Sequence, residues 1–271
     1  MRIVREGDRD RYLSVLFAPE AKRPALFALY AFNVEIARVR DLIHEPMPGE
    51  IRLQWWRDAI VGEAPAAGNP VAEALIRAIH EYELPPAAFD NMIEARLFDL
   101  YDDPMPSRID LEGYCGETAS ALIQLAGLVL DGDAALATAG LAGHAGCAQA
   151  IAGLIRSLPI HLARGQCYVP HDILSAAGTS PEEFVAEKGG EAGKRAVAAM
   201  VALAREHLAQ FEAGARALPH SLRPAYLPAT LASAYLALLS TASVDPFKQI
   251  PDISPLRRVM VMTRRAFFGW R

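Results

Sequence analysis

The sequence has little of what secreted, nucleic-acid-binding or metal-stapled proteins need. It contains only three cysteines, Cys115, Cys147 and Cys167. Their spacing matches no zinc motif, and an odd number does not favour a disulfide framework, so a reducing compartment is predicted. The formal net charge of −5 argues against general nucleic-acid binding, which needs a basic face. The first ten residues also lack the apolar core of a signal peptide. A cytoplasmic protein without a nucleic-acid partner is expected.

Strongly apolar runs are also lacking. Two uncharged stretches, 134–155 and 224–244, are long enough to cross a bilayer, but glycine, alanine, proline and serine make both too weakly apolar. We interpret them as buried helices packed closely through small residues. Hydrophobic residues make up 52% of the chain, which is ample for a sizeable core.

Strand patterns are nearly absent, and apolar residues recur instead at three- and four-residue spacing. Proline and glycine pairs divide this pattern into segments. No linker or repeat separates two halves, so one all-α domain over 1–271 is predicted. Helices are expected near 8–17, 21–42, 50–62, 70–83, 86–101, 109–129, 134–163, 191–217, 224–242 and 254–268.

The segment 153–170 is the most informative stretch of the chain. It resembles the second signature of the squalene/phytoene synthase family, in which Asn-x-Leu-Arg-Asp leads to Gly-Arg-x-Tyr-Leu-Pro. Weaker matches follow the family order at 29–32, 54–57, 114–115 and 172–178. The resemblance covers most of the chain and implies a prenyl-synthase-like helical bundle.

The metal ligands of that family are missing from this sequence. Family members ionise allylic diphosphates with Mg²⁺ that is held by carboxylates of two aspartate motifs. Where the first motif should stand, the chain reads Ala37-Arg-Val-Arg-Asp41, and Ser157 and His161 replace the acids of the second. One carboxylate remains of the five expected, which is a poor magnesium site. No catalytic residue and no cofactor is therefore predicted.

The altered motifs resemble one branch of the family, which contains the mitochondrial assembly factor for respiratory complex I and its alphaproteobacterial relatives. This resemblance implies a non-catalytic assembly or scaffold factor with respiratory-complex subunits as partners. The alternative is an isoprenoid-pathway prenyltransferase, or a prenyl-diphosphate-binding protein, that uses Mg²⁺ or arginines. A third interpretation is a helical interaction module whose central cavity is filled by side chains.

A candidate ligand cavity follows from mapping the family frame onto the sequence, and its ligand would be a prenyl phosphate or a phospholipid. Guanidinium groups bind phosphate without a metal. The arginines could instead form structural ion pairs with Glu35, Glu50, Asp58 and similar acids, which is the interpretation that we favour. The candidate residues are Tyr30, Asn33, Arg38, Asp41, Arg57, Gln149, Arg156, His161, Arg164 and Tyr168.

Three side-chain groups near these motifs have simple structural interpretations. His161 is expected to be a core or rim histidine rather than a metal ligand. Tyr30, Trp55, Trp56 and Tyr168 suit either an isoprenoid tunnel or ordinary core packing. The acids of 99–103 precede a proline, so an exposed acidic corner is predicted there.

The last segment, 254–271, carries five arginines and no acid. Its arginines recur every seven residues, as in Arg257, Arg264 and Arg271, and aromatic residues cluster at its end. Such a helix suits an anionic membrane surface. Alternatively, it docks its apolar side on the domain while its arginines meet the acidic body. The predicted membrane contacts are Arg257, Arg258, Arg264, Arg265, Phe267, Phe268 and Trp270.

Overall fold

The computed structural model describes residues 1–43, 45–187, 189–241 and 243–270. Within these ranges every regular element is helical, as predicted. The α-helices are α1 Arg2–Gly7, α2 Arg9–Val15, α3 Arg23–Ala37, α4 Val39–Leu42, α5 Pro46–Val61, α6 Pro70–Glu81, α7 Pro86–Leu97, α8 Arg108–Cys115, α9 Ala121–Leu130, α10 Gly132–Ala137, α11 Ala139–Arg156, α12 Leu158–Ala163, α13 His171–Ala177, α14 Pro181–Glu187, α15 Gly190–Gly214, α16 Arg223–Tyr226, α17 Ala232–Leu239 and α18 Pro255–Phe268.

Several helices begin at side chains that accept hydrogen bonds from the first turn. Asn69 accepts from the amides of Val71 and Ala72 at the start of α6. Ser107 caps α8 and Ser254 caps α18 in the same way. These caps satisfy amides that have no partner within the helix, so the predicted starts near 70, 109 and 254 agree with the structure.

The predicted helix 134–163 is broken into three pieces, α10, α11 and α12. The second break is at Ser157, and Pro159 lies in the first turn of α12. Proline has no amide hydrogen, and inside a helix its ring clashes with the carbonyl four residues before it. It is tolerated in a first turn, so the chain begins a new helix there.

Other boundaries differ for related reasons. Pro228 divides the predicted helix 224–242 into α16, a 3₁₀ turn and α17. The predicted helix 109–129 runs from α8 to α9 through a π-helical turn, Gly116–Ser120. Three short helices, α1, α13 and α14, were not predicted, because six or seven residues carry too little periodicity to be recognised.

The core is formed where α3, α9, α11, α15 and α17 pack together. Gly146 makes the closest approach: a Cβ there would lie 2.4 Å from the backbone nitrogen of Ser120 in the π-helical turn. The prediction of close packing through small residues is therefore correct at this crossing. No helix in the described ranges is long and apolar enough to traverse a bilayer.

Candidate functional site

The two motif segments meet at an ion pair. Asp41 lies in α4 after the end of α3, and its carboxylate is 2.6 Å from the guanidinium of Arg164, which follows α12. The neighbouring Arg40 pairs with Asp102 at 2.9 Å. The only carboxylate that the first motif retains is thus already neutralised by an arginine of the second.

The residues present here do not fit a magnesium cluster. Ala37, Ser157 and His161 supply no carboxylate oxygen. Throughout the part of the chain that the structure describes, no three or more His, Cys, Asp or Glu side chains are grouped so that they could hold a metal ion. Mg²⁺ needs several hard oxygen ligands in octahedral geometry, and one carboxylate engaged by an arginine does not provide them.

His161 lies against an aromatic ring. Its imidazole is 4.7 Å from the ring of Tyr168, centroid to centroid. Burial lowers the pKa of His161 from its usual 6.5 to about 4, so the ring is neutral at physiological pH. The cavity beside the two rings holds about 10 Å³, roughly the minimum for one water molecule. Side chains therefore fill nearly all of the space beside His161 and Tyr168.

A buried carboxylate organises the neighbouring core. Asp99 is 6% exposed, and it accepts hydrogen bonds from the hydroxyls of Tyr168 at 2.7 Å and Tyr114 at 2.9 Å. Arg96 completes an ion pair with it at 3.0 Å. The expected exposed acidic corner is wrong for Asp99, because a 3₁₀ turn at the end of α7 directs this side chain inward.

The predicted exposure does hold for the other two acids of that run. Asp102 and Asp103 both face solvent. Sequence reasoning missed Asp99 because its three partners come from α7, α8 and the segment after α12. The sequence offered one signal for its burial: Asp99 lies within the predicted helix 86–101, two residues before its end, and not beyond it.

A second region, which we call the polar pocket, contains two of the predicted cavity residues. Its volume is about 490 Å³, and it lies among α1, α2, α11, α17 and α18. Gln149 and Arg156 of α11 line it, and their role in ligand binding stays a prediction. Its walls are Glu6, Gly7, Asp8, Arg9, Asp10, Arg11, Gln149, Gly153, Arg156, Pro228, Ala232, Tyr235, Asp252 and Arg258.

Arg258 joins the two ends of the chain at one wall of this pocket. It is 3% exposed, and it pairs with Asp10 at 2.5 Å and with Asp252 at 2.7 Å. It also donates a hydrogen bond to the hydroxyl of Tyr235 at 2.9 Å. Burial raises the pKa of Asp10, although Arg258 opposes this effect. Sequence reasoning assigned Arg258 to a membrane surface, which is wrong because these partners hold it inside.

In the polar pocket, Arg156 has an N–H group without a hydrogen-bond partner. Its guanidinium carbon is 4.5 Å from the ring centroid of Tyr235, and none of the described carboxylates lies within 4.0 Å of it. The Nε of Arg156 and the Oε1 of Gln149 are buried without a hydrogen-bond partner. Buried polar groups usually have partners. The N–H of Arg156 suits an anionic oxygen of a ligand, whereas the amide oxygen of Gln149 needs a hydrogen-bond donor.

The remaining predicted cavity residues are not brought together with Arg156. Arg57 pairs with Asp90 and Glu94 of α7. Arg38 is exposed, while Asn33 and Tyr30 are buried. Burial raises the pKa of Tyr30 to about 12.

The predicted structural ion pairs form in part, with different acids. Glu35 pairs with Arg52 at 3.0 Å, while Glu50 and Asp58 accept hydrogen bonds from Tyr101 and Gln54. None of these acids engages an arginine of the predicted cavity, because helix packing brings the acids of α7 to Arg57 instead.

Among the aromatic residues that suited either a tunnel or core packing, Trp56 belongs to the core and packs against Phe32.

The C-terminal helix divides the predicted membrane contacts into two groups. Arg257, Arg264, Phe267 and Phe268 are exposed. Trp270 is buried, and its ring is 5.5 Å from that of Phe211.

Arg265 is also turned inward, 3.8 Å from Glu212. The interpretation in which this helix docks on the domain is therefore correct for Arg258, Arg265 and Trp270. The prediction of membrane contact is wrong for Arg258 and Trp270, which are buried. It stays a prediction for the partly exposed Arg265, and Arg271 lies outside the described residues.

The helical bundle and its two meeting motif segments define a prenyl-synthase-like protein, and the chain belongs to the squalene/phytoene synthase family, whose model matches residues 4–265. The resemblance inferred from the motifs is therefore confirmed. Among curated relatives, NADH dehydrogenase (ubiquinone) complex I, assembly factor 6 of Bos taurus is 30% identical over 250 residues, which is 91% of this chain and 74% of that protein. Its Mus musculus counterpart is 31% identical over 252 residues, with the same coverage.

Enzymes of the family are also similar to this chain. Presqualene diphosphate synthase of Sinorhizobium fredii is 26% identical, covering 94% of this chain and 90% of that protein. A crystal structure of squalene synthase HpnC from Alicyclobacillus acidocaldarius has a TM-score of 0.72 at 23% identity, covering 88% of this chain and 90% of that one. A dehydrosqualene synthase in complex with ligand reaches 0.79 at 19% identity, with coverages of 97% and 92%. These structures show the fold.

Proposed function

We propose that this chain is a non-catalytic member of its family that acts as an assembly or scaffold factor for a respiratory complex of the complex I type. The observation that carries the proposal is the state of the metal motifs, in which Asp41 is tied to Arg164 at 2.6 Å and the other carboxylates are absent. Without divalent cations the leaving diphosphate is not neutralised. The relatives named as complex I assembly factors support the choice of partner.

A turnover assay tests the absence of catalysis. Purified protein is incubated with farnesyl or geranylgeranyl diphosphate and Mg²⁺, and we expect no diphosphate release above a protein-free control. Release at ordinary enzymatic turnover would contradict the proposal.

A genetic test addresses the assembly role. Deletion of the gene is expected to reduce assembled respiratory complex I on native gels, and the wild-type gene to restore it. Asp41→Asn is expected to restore assembly as well, because the carboxylate binds no catalytic metal. Normal complex I levels in the deletion strain would reject the role.

We also propose that the protein works at the inner face of the cytoplasmic membrane, with subunits of the respiratory complex as its partners. The exposed arginines and aromatic residues of α18 support this location. Fractionation of cells in low and high salt tests it: we expect the protein with membranes in low salt and released by high salt. Recovery in the supernatant at both salt concentrations would count against it.

A second candidate function is binding of a prenyl diphosphate or of another lipid phosphate without metal. The Nε of Arg156, which has no hydrogen-bond partner in the polar pocket, favours it. Farnesyl diphosphate in EDTA should then raise the melting temperature of the wild type and not of Arg156→Ala. Arg77→Ala, which removes an exposed arginine of α6, is the matched control. No shift with the wild type would exclude this candidate and leave the assembly role untouched.

A further inference from the structure

One side of α18 is exposed along its whole length. Residues three and four apart share a helix face, and this spacing aligns six exposed residues. We call them the outer face of α18: Leu256, Arg257, Met260, Arg264, Phe267 and Phe268. The apolar members are 71%, 61%, 66% and 72% exposed in the order Leu256, Met260, Phe267, Phe268. Large apolar side chains gathered in this way are uncommon on a protein that has no partner.

The opposite side of α18 is fixed to the domain. Arg258, Met262 and Ala266 are buried there, and Arg258 is held by Asp10 and Asp252 at 2.5 and 2.7 Å. At the end of the helix Arg223 donates hydrogen bonds to the carbonyl oxygens of Ala266 and Phe267, both at 2.9 Å. The helix cannot rotate its apolar residues inward without breaking these contacts, so the outer face is a fixed, preformed surface.

The charges on the outer face select one kind of partner. Arg257 and Arg264 are exposed, and none of the described carboxylates lies within 4.0 Å of either. The segment 254–270 contains no acid. Each unpaired guanidinium lies beside apolar residues at three- or four-residue spacing, so the surface offers positive charge and apolar side chains together. This combination matches an anionic lipid interface, where arginines meet phosphates and aromatic rings enter the headgroup region.

We propose that the outer face of α18 is a docking surface for anionic membranes, on which the helix lies flat. With 14 residues the helix is about 21 Å long, and its apolar residues occupy one side, so it suits the interface and not the bilayer interior. The proposal deepens the membrane location proposed above, and it assigns the contact to a defined face and a lipid class.

Vesicle co-sedimentation of the full chain tests the proposal. Vesicles of phosphatidylcholine with about 30% phosphatidylserine are compared with phosphatidylcholine alone, and binding is expected only to the first and to weaken with salt. The double variant Arg257→Gln/Arg264→Gln should lower the partition coefficient about 30-fold, since each basic residue near an anionic surface contributes roughly 5-fold. Phe267→Ser/Phe268→Ser should lower it about 10-fold or more by removing apolar burial.

Matched controls separate this face from the rest of the surface. Arg2→Gln/Arg77→Gln removes two exposed arginines elsewhere, and Ile109→Ser/Leu136→Ser removes two apolar residues that are 79% and 68% exposed. Both controls should bind vesicles like the wild type. Because the outer face touches little, all four double variants should keep the wild-type melting temperature.

Four results would overturn the proposal. The first is no binding of the wild type to anionic vesicles, and the second is an equal loss in the control variants. The third is a wild-type dimer in light scattering that Phe267→Ser/Phe268→Ser converts to a monomer, which would assign the face to a second copy of the chain. The fourth is restored complex I assembly by the arginine double variant, which would remove only this docking surface and leave the proposed function standing.

Discussion

Removing the buried carboxylate of Asp99 should strongly destabilise the fold. In Asp99→Ala the hydroxyls of Tyr114 and Tyr168 lose their acceptor, and Arg96 loses its counter-ion. Breaking a buried ion pair by removing one partner costs about 3–5 kcal/mol. For a chain of this size roughly 2 °C of melting temperature corresponds to 1 kcal/mol, so we expect a decrease of about 6–10 °C.

The assay is thermal and urea unfolding of the full chain, followed by circular dichroism. Asp103→Ala removes an exposed acid four residues away and should change the free energy of unfolding by less than about 0.5 kcal/mol. Tyr168→Phe removes one hydrogen bond to the charged carboxylate and should cost about 1.5–3 kcal/mol. A loss below about 1 kcal/mol in Asp99→Ala would refute the view that this carboxylate organises the core.

Three further predictions concern pH and packing. The pKa of His161, lowered to about 4, lies below its unfolded value, so its contribution to stability is complete above pH 6.5 and is lost as pH falls toward 4. Between about pH 7 and pH 5 the protonation of His161 in the unfolded chain should lower the free energy of unfolding of the wild type by about 2 kcal/mol. His161→Gln should lack this part of the pH dependence when unfolding is measured at both pH values. In urea unfolding, Arg258→Ala should cost about 3–5 kcal/mol, because it leaves Asp10 without its counter-ion, and equal stability of variant and wild type would contradict the ion-pair geometry. Gly146→Ala should lower the melting temperature, because the added Cβ would collide with the backbone of Ser120 in the π-helical turn before α9. Gly143→Ala should leave the melting temperature unchanged, because its Cβ would enter open space.

Local sequence signals predicted the fold class and part of the candidate site. The order of the motif fragments was sufficient to recognise the family, and the cap residues located the starts of several helices. Gln149 and Arg156 line the same pocket because both lie on one helix, α11, seven residues apart, while their binding of a ligand stays a prediction.

What could not be predicted was the choice of partners over long distances in the chain. Asp99 looked like a surface acid because its charge is satisfied by side chains of other elements. Arg258 looked equivalent to Arg265 and Arg257 because helix periodicity does not reveal which side of α18 faces the domain. Asp10, at the other end of the chain, settles that orientation. Such pairings depend on tertiary packing and leave no local pattern.

The pairing of Arg258 with Asp10 also has a consequence for local unfolding. One wall of the polar pocket comes from α2 and another comes from α18, and this ion pair at 2.5 Å joins them. If α18 separates from the domain, the carboxylate of Asp10 loses its counter-ion and the pocket loses a wall. The same event frees the outer face of α18 from its fixed orientation, so opening of this one helix changes both surfaces in a single step.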